Sequence, residues 1–488
     1  MAGLPAFWIF KEEAMNCPGG DWHLTTAAYE HQRAAVMKLS RLKVGALFMD
    51  MGTGKTRTAI ELIWLRRHLI SRCVWCCPVS LMETTRREIL FHTSCLNGDI
   101  HVFDSRTKET NIPPAGWHIV GLESLGRSIR VYAALGKLID KGTFLVVDES
   151  TYIKGHKAKQ TRRLLRLGIR APYRLILTGT PITQGIEDLY TQMAFLSPRI
   201  LGVSSWETFR RAHVGLVEGE RKTLDLGGVC RTILPYVYQV SKEECLNLPP
   251  KTYRHVSCPF SPEQTRLYQV IKYRFLERVR SESNDPSRLG MEIYRLFCGL
   301  HAVSCGLVPA GFSGGRRVEN RRVSLLIELL RNIKTSHMIV WTNHRESIFA
   351  LNEGLTESLP GLRSHMLFGG LSPGVRTQRL DKWREAGGVL LATQGTGGHG
   401  LTLTEADHVF FFSENWKYSL RIQAEDRSHR IGQKRKVHYV TIQCDCNIDN
   451  RIHSALMRKA NALEELKREI GKLGGDYTSL RNFVERRV

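Results

Sequence analysis

The richest chemistry in this sequence lies in Phe48-Met49-Asp50-Met51-Gly52-Thr53-Gly54-Lys55-Thr56, where an apolar run gives way to glycines and then to a lysine and a threonine. Gly52 and Gly54 allow main-chain N–H groups to turn inward around an anion, Lys55 reaches outer phosphates, and the Thr56 hydroxyl can ligate magnesium. Asp50, Met51 and Thr53 complete this candidate nucleotide loop. A strict phosphate loop has glycine where Met49 stands, so the run taken alone also suits a Gly-rich strand-to-helix turn. The second candidate is Leu145-Val146-Val147-Asp148-Glu149, two acids at the carboxyl end of an apolar strand, where open α/β sheets bind ligands. Asp148 suits a magnesium ligand, and Glu149 suits the group that orients and polarises an attacking water. Alone, such a pair is a polar cap; together with Lys55 it points to phosphoryl transfer.

These side chains need strands that end at one edge. Apolar runs at Val44–Met49, Cys73–Cys77, Phe144–Val147 and Leu175–Leu177, then at Met338–Trp341, Val389–Ala392, Val409–Phe412 and His438–Ile442, are each followed by a turn and a helical pattern. Continuous apolar strands are buried on both faces, as in parallel sheets covered by helices, so two α/β domains in tandem are expected. Asn247-Leu248-Pro249-Pro250 interrupts any regular element and marks the break near Lys242 to Thr252. A largely helical region follows from Pro262 to about Arg331, and the pattern Leu463, Leu466, Ile470 reads as a closing helix.

Composition narrows the class. The chain has 488 residues, and 70 Lys+Arg against 47 Asp+Glu give a net charge of +23, which calls for a polyanionic partner. Hydrophobic residues at 42% and charged ones at 24% exclude a disordered basic tail. No run approaches the ~20 apolar residues of a membrane span and no signal pattern is present, so an intracellular protein is expected. The twelve cysteines are scattered, and Cys73-x-x-Cys76 has no second pair, so buried, reduced thiols are expected rather than a structural zinc site.

The phosphate loop, Asp148-Glu149, Leu177-Thr178-Gly179-Thr180-Pro181 and Gln423-Ala424-Glu425-Asp426-Arg427-Ser428-His429-Arg430-Ile431-Gly432-Gln433 together resemble the Swi/Snf family of helicase superfamily two. Cys77-Pro78-Val79-Ser80-Leu81 resembles its motif Ia, Leu248-Pro249-Pro250-Lys251 the entry to its second lobe, and Gly395 to Leu403 its motif V. The resemblance implies an α/β fold of two tandem RecA-like lobes with parallel sheets, an ATP cleft between them and a helical insertion in the second half. The corresponding boundaries are an N-terminal segment 1–22, lobe one 23–240, a linker 241–252, a helical region 253–335, lobe two 336–460 and a C-terminal helix with basic tail 461–488. It further implies ATP and Mg2+ as cofactors, Gln32 reading adenine, Gly400 near the nucleotide, and Arg427 and Arg430 as arginine fingers. Thr151 replaces the family's histidine after the acid pair, and Gly155 its usual asparagine.

Between Ser150 and Arg174 stand eight basic residues and no acid, with Lys154 first and Arg162, Arg166 and Arg170 four apart on one helix face. This run is the candidate grip on a nucleic-acid backbone, although such runs are often only solvated faces. Arg316, Arg317, Arg321 and Arg322 form a second basic cluster that could clamp the backbone. By resemblance, Ser80, Thr342, Thr393 and His399 lie in motifs that track the strand backbone, while Trp341 reads as core. Binding of double-stranded or branched DNA without sequence preference, by a monomeric motor, is the expectation. The readings are, first, a DNA-stimulated ATPase that translocates and remodels protein–DNA complexes or branched DNA in replication, recombination or repair. The others are a strand-separating DNA or RNA helicase, and a nucleic-acid scaffold with a switch-like ATPase. The lack of accessory modules suits a bacterial or phage protein, located then in the cytoplasm or nucleoid.

Overall fold

A computed structural model describes residues 21–182, 185–203, 205–217, 220–223, 225–246, 248–281, 286–309, 317–397, 401–458, 465–466, 469 and 477–487. The chain divides into two compact units, Met1–Asn247 and Leu248–Val488. Among the described residues no helix is long and apolar enough to cross a membrane.

The first unit holds strands β1 (Val44–Met49), β2 (Arg72–Cys77), β3 (Ile100–Val102), β4 (Trp117–Gly121), β5 (Thr143–Asp148), β6 (Tyr173–Thr178), β7 (Val214–Val217), β8 (Glu220–Thr223) and β9 (Val237–Val240). Seven of them form one parallel sheet in the order β3-β4-β2-β5-β6-β1-β9, while β7 and β8 pair as an antiparallel hairpin. The four apolar runs expected as strands in this half are strands, and in β1, β2, β5 and β6 every interior position except Arg174 is buried. β4 belongs with them although its second residue is His118, which lies buried, so a single polar letter hid an otherwise inward-facing strand. β6 lies between β1 and β5, with Phe48 opposite Thr178 and Leu177 opposite Asp148. At the usual strand spacing this sets the ends of β1 and β5 about 10 Å apart, with the end of β6 between them.

The second unit holds β10 (Lys251–Cys258), β11 (His337–Thr342), β12 (Ser364–Leu367), β13 (Gly388–Thr393), β14 (His408–Phe411) and β15 (Val437–Cys444), all parallel, in the order β10-β15-β14-β11-β13-β12. Residues 253–258, expected to open the helical region, are instead an edge strand paired along its whole length with β15. Its exposed Arg254 and His255 keep that edge polar, which removed the apolar signal from the sequence. Helices Pro262–Ser281, Pro286–Ser304 and Arg321–Arg331 follow, as the helical pattern required. The first two pack Ile271, Phe275, Leu296, Phe297 and Leu300 against Ile448 and Ile452 of the helix Asn447–Met457 in one apolar cluster. Of the expected closing pattern, Leu466 is buried in the same cluster, while Leu463 and Ile470 lie outside the described residues.

The second basic cluster is corrected by this packing. Arg322 is 1% exposed, in phase with Leu326 and Leu330 on the buried face of its helix, and its guanidinium pairs with Asp449 and donates to the carbonyl of Phe412. Arg317 pairs with Glu353, and Arg316 lies outside the described residues. A clamp built on Arg322 is therefore excluded. In the first basic run Arg163 is likewise buried, donating to the carbonyls of Leu125 (2.7 Å) and Ser128 (3.1 Å).

Candidate active site

The loop after β1 is held by its own main chain. Asp50 N donates to Val240 O of β9 at 3.1 Å, and the Asp50 carboxylate accepts from Lys242 N at 2.9 Å. Thr53 is buried, its hydroxyl donating to Asp50 O at 2.7 Å. Gly52 and Gly54 have φ of 80° and 86°, a left-handed conformation that side chains disfavour, and a Cβ on Gly54 would stand 2.0 Å from Gln32 Nε2. The helix Lys55–Trp64 begins at once, so its unpaired N–H groups and dipole favour an anion in the loop. Lys55 Nζ donates to the carbonyls of Met49 (2.8 Å) and Asp50 (3.1 Å), which folds the amine back across the loop mouth. Thr56, next on the helix, is partly buried.

Gln32 sits against this loop. It is 2% exposed, donates through Nε2 to Thr53 O at 3.0 Å and accepts from Tyr29 N at 3.0 Å. His31 meets the same carbonyl at 2.8 Å. Both residues come from the helix Glu30–Leu39, which places them beside Gly54.

At the end of β5 the two acids differ in environment. Asp148 accepts from Glu149 N at 2.9 Å, and burial first, then the Glu149 charge, push its carboxyl up to about 7 while Lys55 pulls it back. Glu149 has φ 53° and ψ 57°, the single non-glycine residue with positive φ among those described. A left-handed non-glycine residue costs about 1–2 kcal/mol and here re-aims the carboxylate out of the strand direction. Glu149 Oε1 accepts from Thr151 Oγ1 at 3.1 Å and lies 3.5 Å from Thr178 Oγ1 at the end of β6. Ser150 Oγ donates to Gln192 Oε1 at 2.6 Å, and Gln192 Nε2 donates to Pro181 O at 2.8 Å, which fastens the acid turn to Leu177–Pro181. The sequence alone does not single out Thr151, Thr178 or Gln192 as site residues. The threonines stand in the quoted motifs, but only the fold shows their hydroxyls directed at one carboxylate.

In the second unit Arg427 and Arg430 lie at the end of the helix Tyr418–Ser428 and just beyond it. Arg427 is 7% exposed with Nη1 3.5 Å from Leu401 O, whereas Arg430 is partly exposed. The run is held rigidly: Leu403 N donates to Arg427 O at 2.8 Å, Gln433 Nε2 to the carbonyls of Ala406 and Ser428, and His429 Nε2 meets Pro249 O at 2.8 Å. Arg421 Nε donates to Glu425 Oε1 at 2.8 Å, and its guanidinium stacks 3.5 Å over the Phe411 ring. His399 and Gly400 lie outside the described residues.

The expected backbone-tracking residues divide. Thr342 is fully buried, its hydroxyl shared between Ser413 Oγ (3.2 Å) and His344 N (3.4 Å), so it offers nothing to a phosphate and supports the turn instead. Trp341 is core. Thr393 remains partly exposed, with its hydroxyl 2.6 Å from that of Thr396, and Ser80 is partly exposed in the turn Val79–Leu81. On the helix Lys159–Gly168, Arg162 and Arg166 are exposed while Leu164 and Leu167 face inward; Arg170, expected on the same helix face, is exposed but lies past the helix end, because the helix stops at Gly168. Lys154 is 3.7 Å from Asp188.

The SNF2-related domain matches residues 28–303, and the helicase conserved C-terminal domain matches residues 321–432. The putative ATP-dependent helicase/translocase YwqA of Bacillus subtilis is 27% identical over 334 residues, covering 66% of this chain and 35% of that protein. An uncharacterized ATP-dependent helicase of Mycoplasma pneumoniae is 26% identical over 428 residues (85% and 39%). Human TATA-binding protein-associated factor 172 is 26% identical over 387 residues (66% and 20%). The chain thus spans between a fifth and two fifths of the length of these relatives. Among solved structures, the SWI2/SNF2 ATPase core of Sulfolobus solfataricus in complex with dsDNA is 20% identical, with 95% of this chain and 96% of that chain covered and a TM-score of 0.44.

Proposed function

The chain belongs to the SNF2-related family of helicase-like ATPases, and from that premise we propose that it hydrolyses ATP to translocate along duplex DNA without sequence preference. In this reading it remodels protein–DNA complexes or branched DNA in replication, recombination or repair. The observation that supports it most is the convergence at one sheet edge: the Gly52–Thr56 loop with Lys55, the acid pair Asp148-Glu149, and Thr178 on the strand between them.

Each side chain has a part in that chemistry. The N–H groups of the loop and helix Lys55–Trp64 cradle the phosphates, and Lys55 exchanges its main-chain acceptors for phosphate oxygens. Gln32, whose amide now serves Tyr29 and Thr53, is the residue assigned to adenine. When bound, magnesium held by Thr56 and Asp148 supplies positive charge against the phosphate oxygens. Asp148 fits that task because its carboxyl is raised and, among the described residues, no arginine pairs with it. Glu149, held by Thr151, orients the attacking water, and Arg427 and Arg430 serve as cations for the transition state. Arg162 and Arg166 on one helix, and Arg170 just past its end, are exposed cations suited to phosphates, and Ser80, Lys154 and Thr393 are further backbone-binding groups in this proposal.

The deciding experiment is steady-state ATP hydrolysis with no polymer, duplex DNA, single-stranded DNA, branched DNA and RNA, with Lys55→Ala as the inactive control. Duplex or branched DNA is expected to stimulate most. Changing Arg162, Arg166 and Arg170 together to Gln is expected to lower the slope of log affinity against log salt by up to about 0.9 for each phosphate that is no longer neutralised. Stimulation by RNA alone overturns the DNA assignment. Separation of a forked duplex would place the protein among strand-separating helicases, and no turnover with any polymer would leave a scaffold.

A further inference from the structure

Away from the nucleotide loop, the second unit brings together three side chains of metal-ligating type, two from one helix end and a third remote in sequence. His301 and Cys305 are one helical turn apart at the end of the helix Pro286–Ser304, and Cys305 N donates to His301 O at 3.3 Å. His344 comes from the turn between β11 and the helix Arg345–Ser358. His301 Nδ1 and His344 Nε2 are 3.1 Å apart, and one nitrogen or sulfur atom from each of the three residues lies within 4.8 Å of the other two. In a tetrahedral site with metal–nitrogen bonds of about 2.0–2.1 Å and a metal–sulfur bond of about 2.3 Å, ligand atoms stand roughly 3.3–3.6 Å apart. Closing the set around an ion requires the two histidine nitrogens, 3.1 Å apart, to part slightly and the longest separation, at most 4.8 Å, to shorten by up to about 1.2–1.5 Å.

The surroundings favour a ligand role over mere packing. The ring of His301 also hydrogen-bonds the main chain of Glu414, so with Nδ1 turned to His344 the Nε2–H is taken up by that carbonyl and the Nδ1 lone pair is fixed toward the cluster. Such an outer partner orients metal-bound histidines in general. Burial holds both imidazoles neutral, His344 down to about 4. In the metal-free chain His344 Nε2 carries the proton of the hydrogen bond to His301 Nδ1, so binding an ion shifts His344 to its Nδ1–H tautomer and frees Nε2 as the donor atom. Burial pushes the Cys305 thiol up to about 12, Arg322 Nη1 at 4.0 Å from Sγ offsets part of that while its own charge is balanced by Asp449, and the thiolate therefore forms only as the ion binds. Trp416 closes one side, its ring 5.7 Å from that of His301.

We propose that His301, Cys305 and His344 bind a borderline-soft divalent cation of the zinc class, fastening the helix Pro286–Ser304 to the turn after β11. The Cys305 thiol gives its proton to solvent as the metal–sulfur bond forms, no electron is transferred, and the fourth position is left for water. The turn so fastened follows Thr342, the last residue of β11, whose hydroxyl accepts from His344 N, so the metal braces the end of a central strand of the second unit.

Cobalt(II) serves as the probe, added to the full chain after chelation and dialysis. The expected result is one equivalent giving a thiolate-to-cobalt band in the near ultraviolet with tetrahedral bands in the visible, both bleached by one equivalent of Zn2+. Cys305→Ser removes the near-ultraviolet band, and His344→Asn weakens zinc binding by more than the about 10–100-fold that follows loss of an outer-shell partner. Absence of the sulfur band, or its persistence in Cys305→Ser, overturns the proposal. Should Cys305→Ser fail to fold, the zinc-induced rise in melting temperature decides: it must be present in the native chain and lost in His344→Asn, and an equal rise in both overturns the site.

Discussion

Asp148 and Asp449 stand one in each unit, and the protein treats them in opposite ways. Asp449 is 6% exposed and fully engaged: Arg322 pairs with it, Ser304 Oγ donates to it at 2.9 Å and Cys444 N at 2.8 Å. These partners come from a helix, a second helix end and β15, so the acid joins the helical layer to the sheet. Asp148 receives a main-chain N–H from its neighbour and a second acid beside it, and its carboxyl is driven up to about 7. A carboxylate left short of positive charge at a strand end is poised for a cation that arrives with substrate, whereas a carboxylate given its own arginine is structural.

The largest effect expected from this contrast is on turnover. Glu149→Gln keeps the size and the Thr151 hydrogen bond but removes the charge that polarises water, so kcat should fall about 10²–10⁴-fold while ATP still binds. Single-turnover hydrolysis beside nucleotide-binding titrations reads both. An equal loss in affinity and rate would make Glu149 a binding group and erase the distinction drawn from Asp148 and its neighbour.

Next comes Arg322→Met, which leaves Asp449 buried without its cation. Removing one partner of a buried pair costs about 3–5 kcal/mol, read as a lower midpoint in urea, and adding Asp449→Asn should recover much of it. Full recovery would confirm that the pair acts as one unit. A loss of DNA-stimulated turnover without loss of stability would instead return Arg322 to the functional residues.

Much of this contrast is legible in the amino-acid sequence. The loop around Lys55, the acid pair and the Gln423–Gln433 run are contiguous, and their chemistry demands those letters at those spacings. Eight strands are legible because burial on both faces writes them as unbroken apolar runs. β10 is not, since an exposed edge strand carries Tyr253, Arg254 and His255 on its surface. Arg322 offers a usable signal, its phase with Leu326 and Leu330, yet the neighbouring Arg321 and Arg317 make it read as one of a charged row. His301 and Cys305 likewise share helical spacing, but His344 joins them only through tertiary packing.

A smaller effect separates the two acids by pH. In metal-free protein Asp148 has a folded pKa of about 7 against an ordinary 3.8 when unfolded. The fold therefore holds a proton that the unfolded chain has already released. Stability declines as pH rises from about 4 to about 7, by up to about 1.4 kcal/mol per unit, and levels off above. Asp148→Asn has no such proton to lose, so in EDTA its stability advantage over the native chain should grow from near zero at about pH 4 to roughly 2–4 kcal/mol at about pH 8. Melting temperatures across that range test it, and a constant difference would remove Asp148 from the class of under-compensated acids.

Thr151→Val should give the smallest change. The hydroxyl lies 3.1 Å from Glu149 Oε1, and it is one of two threonine hydroxyls near that oxygen, Thr178 being the other at 3.5 Å. Losing one modest hydrogen bond is worth about 0.5–1.5 kcal/mol, or about 2–10-fold in kcat, with KM for ATP unchanged. Thr151→Ser should restore the rate, since only the hydroxyl is required. If valine and serine behave alike, the methyl group packs the turn and the left-handed Glu149 backbone is what aims the carboxylate. If valine costs as much as Glu149→Gln, Thr151 is part of the reacting array rather than its support, and the step from Asp148 to Glu149 to Thr151 must be read as one unit.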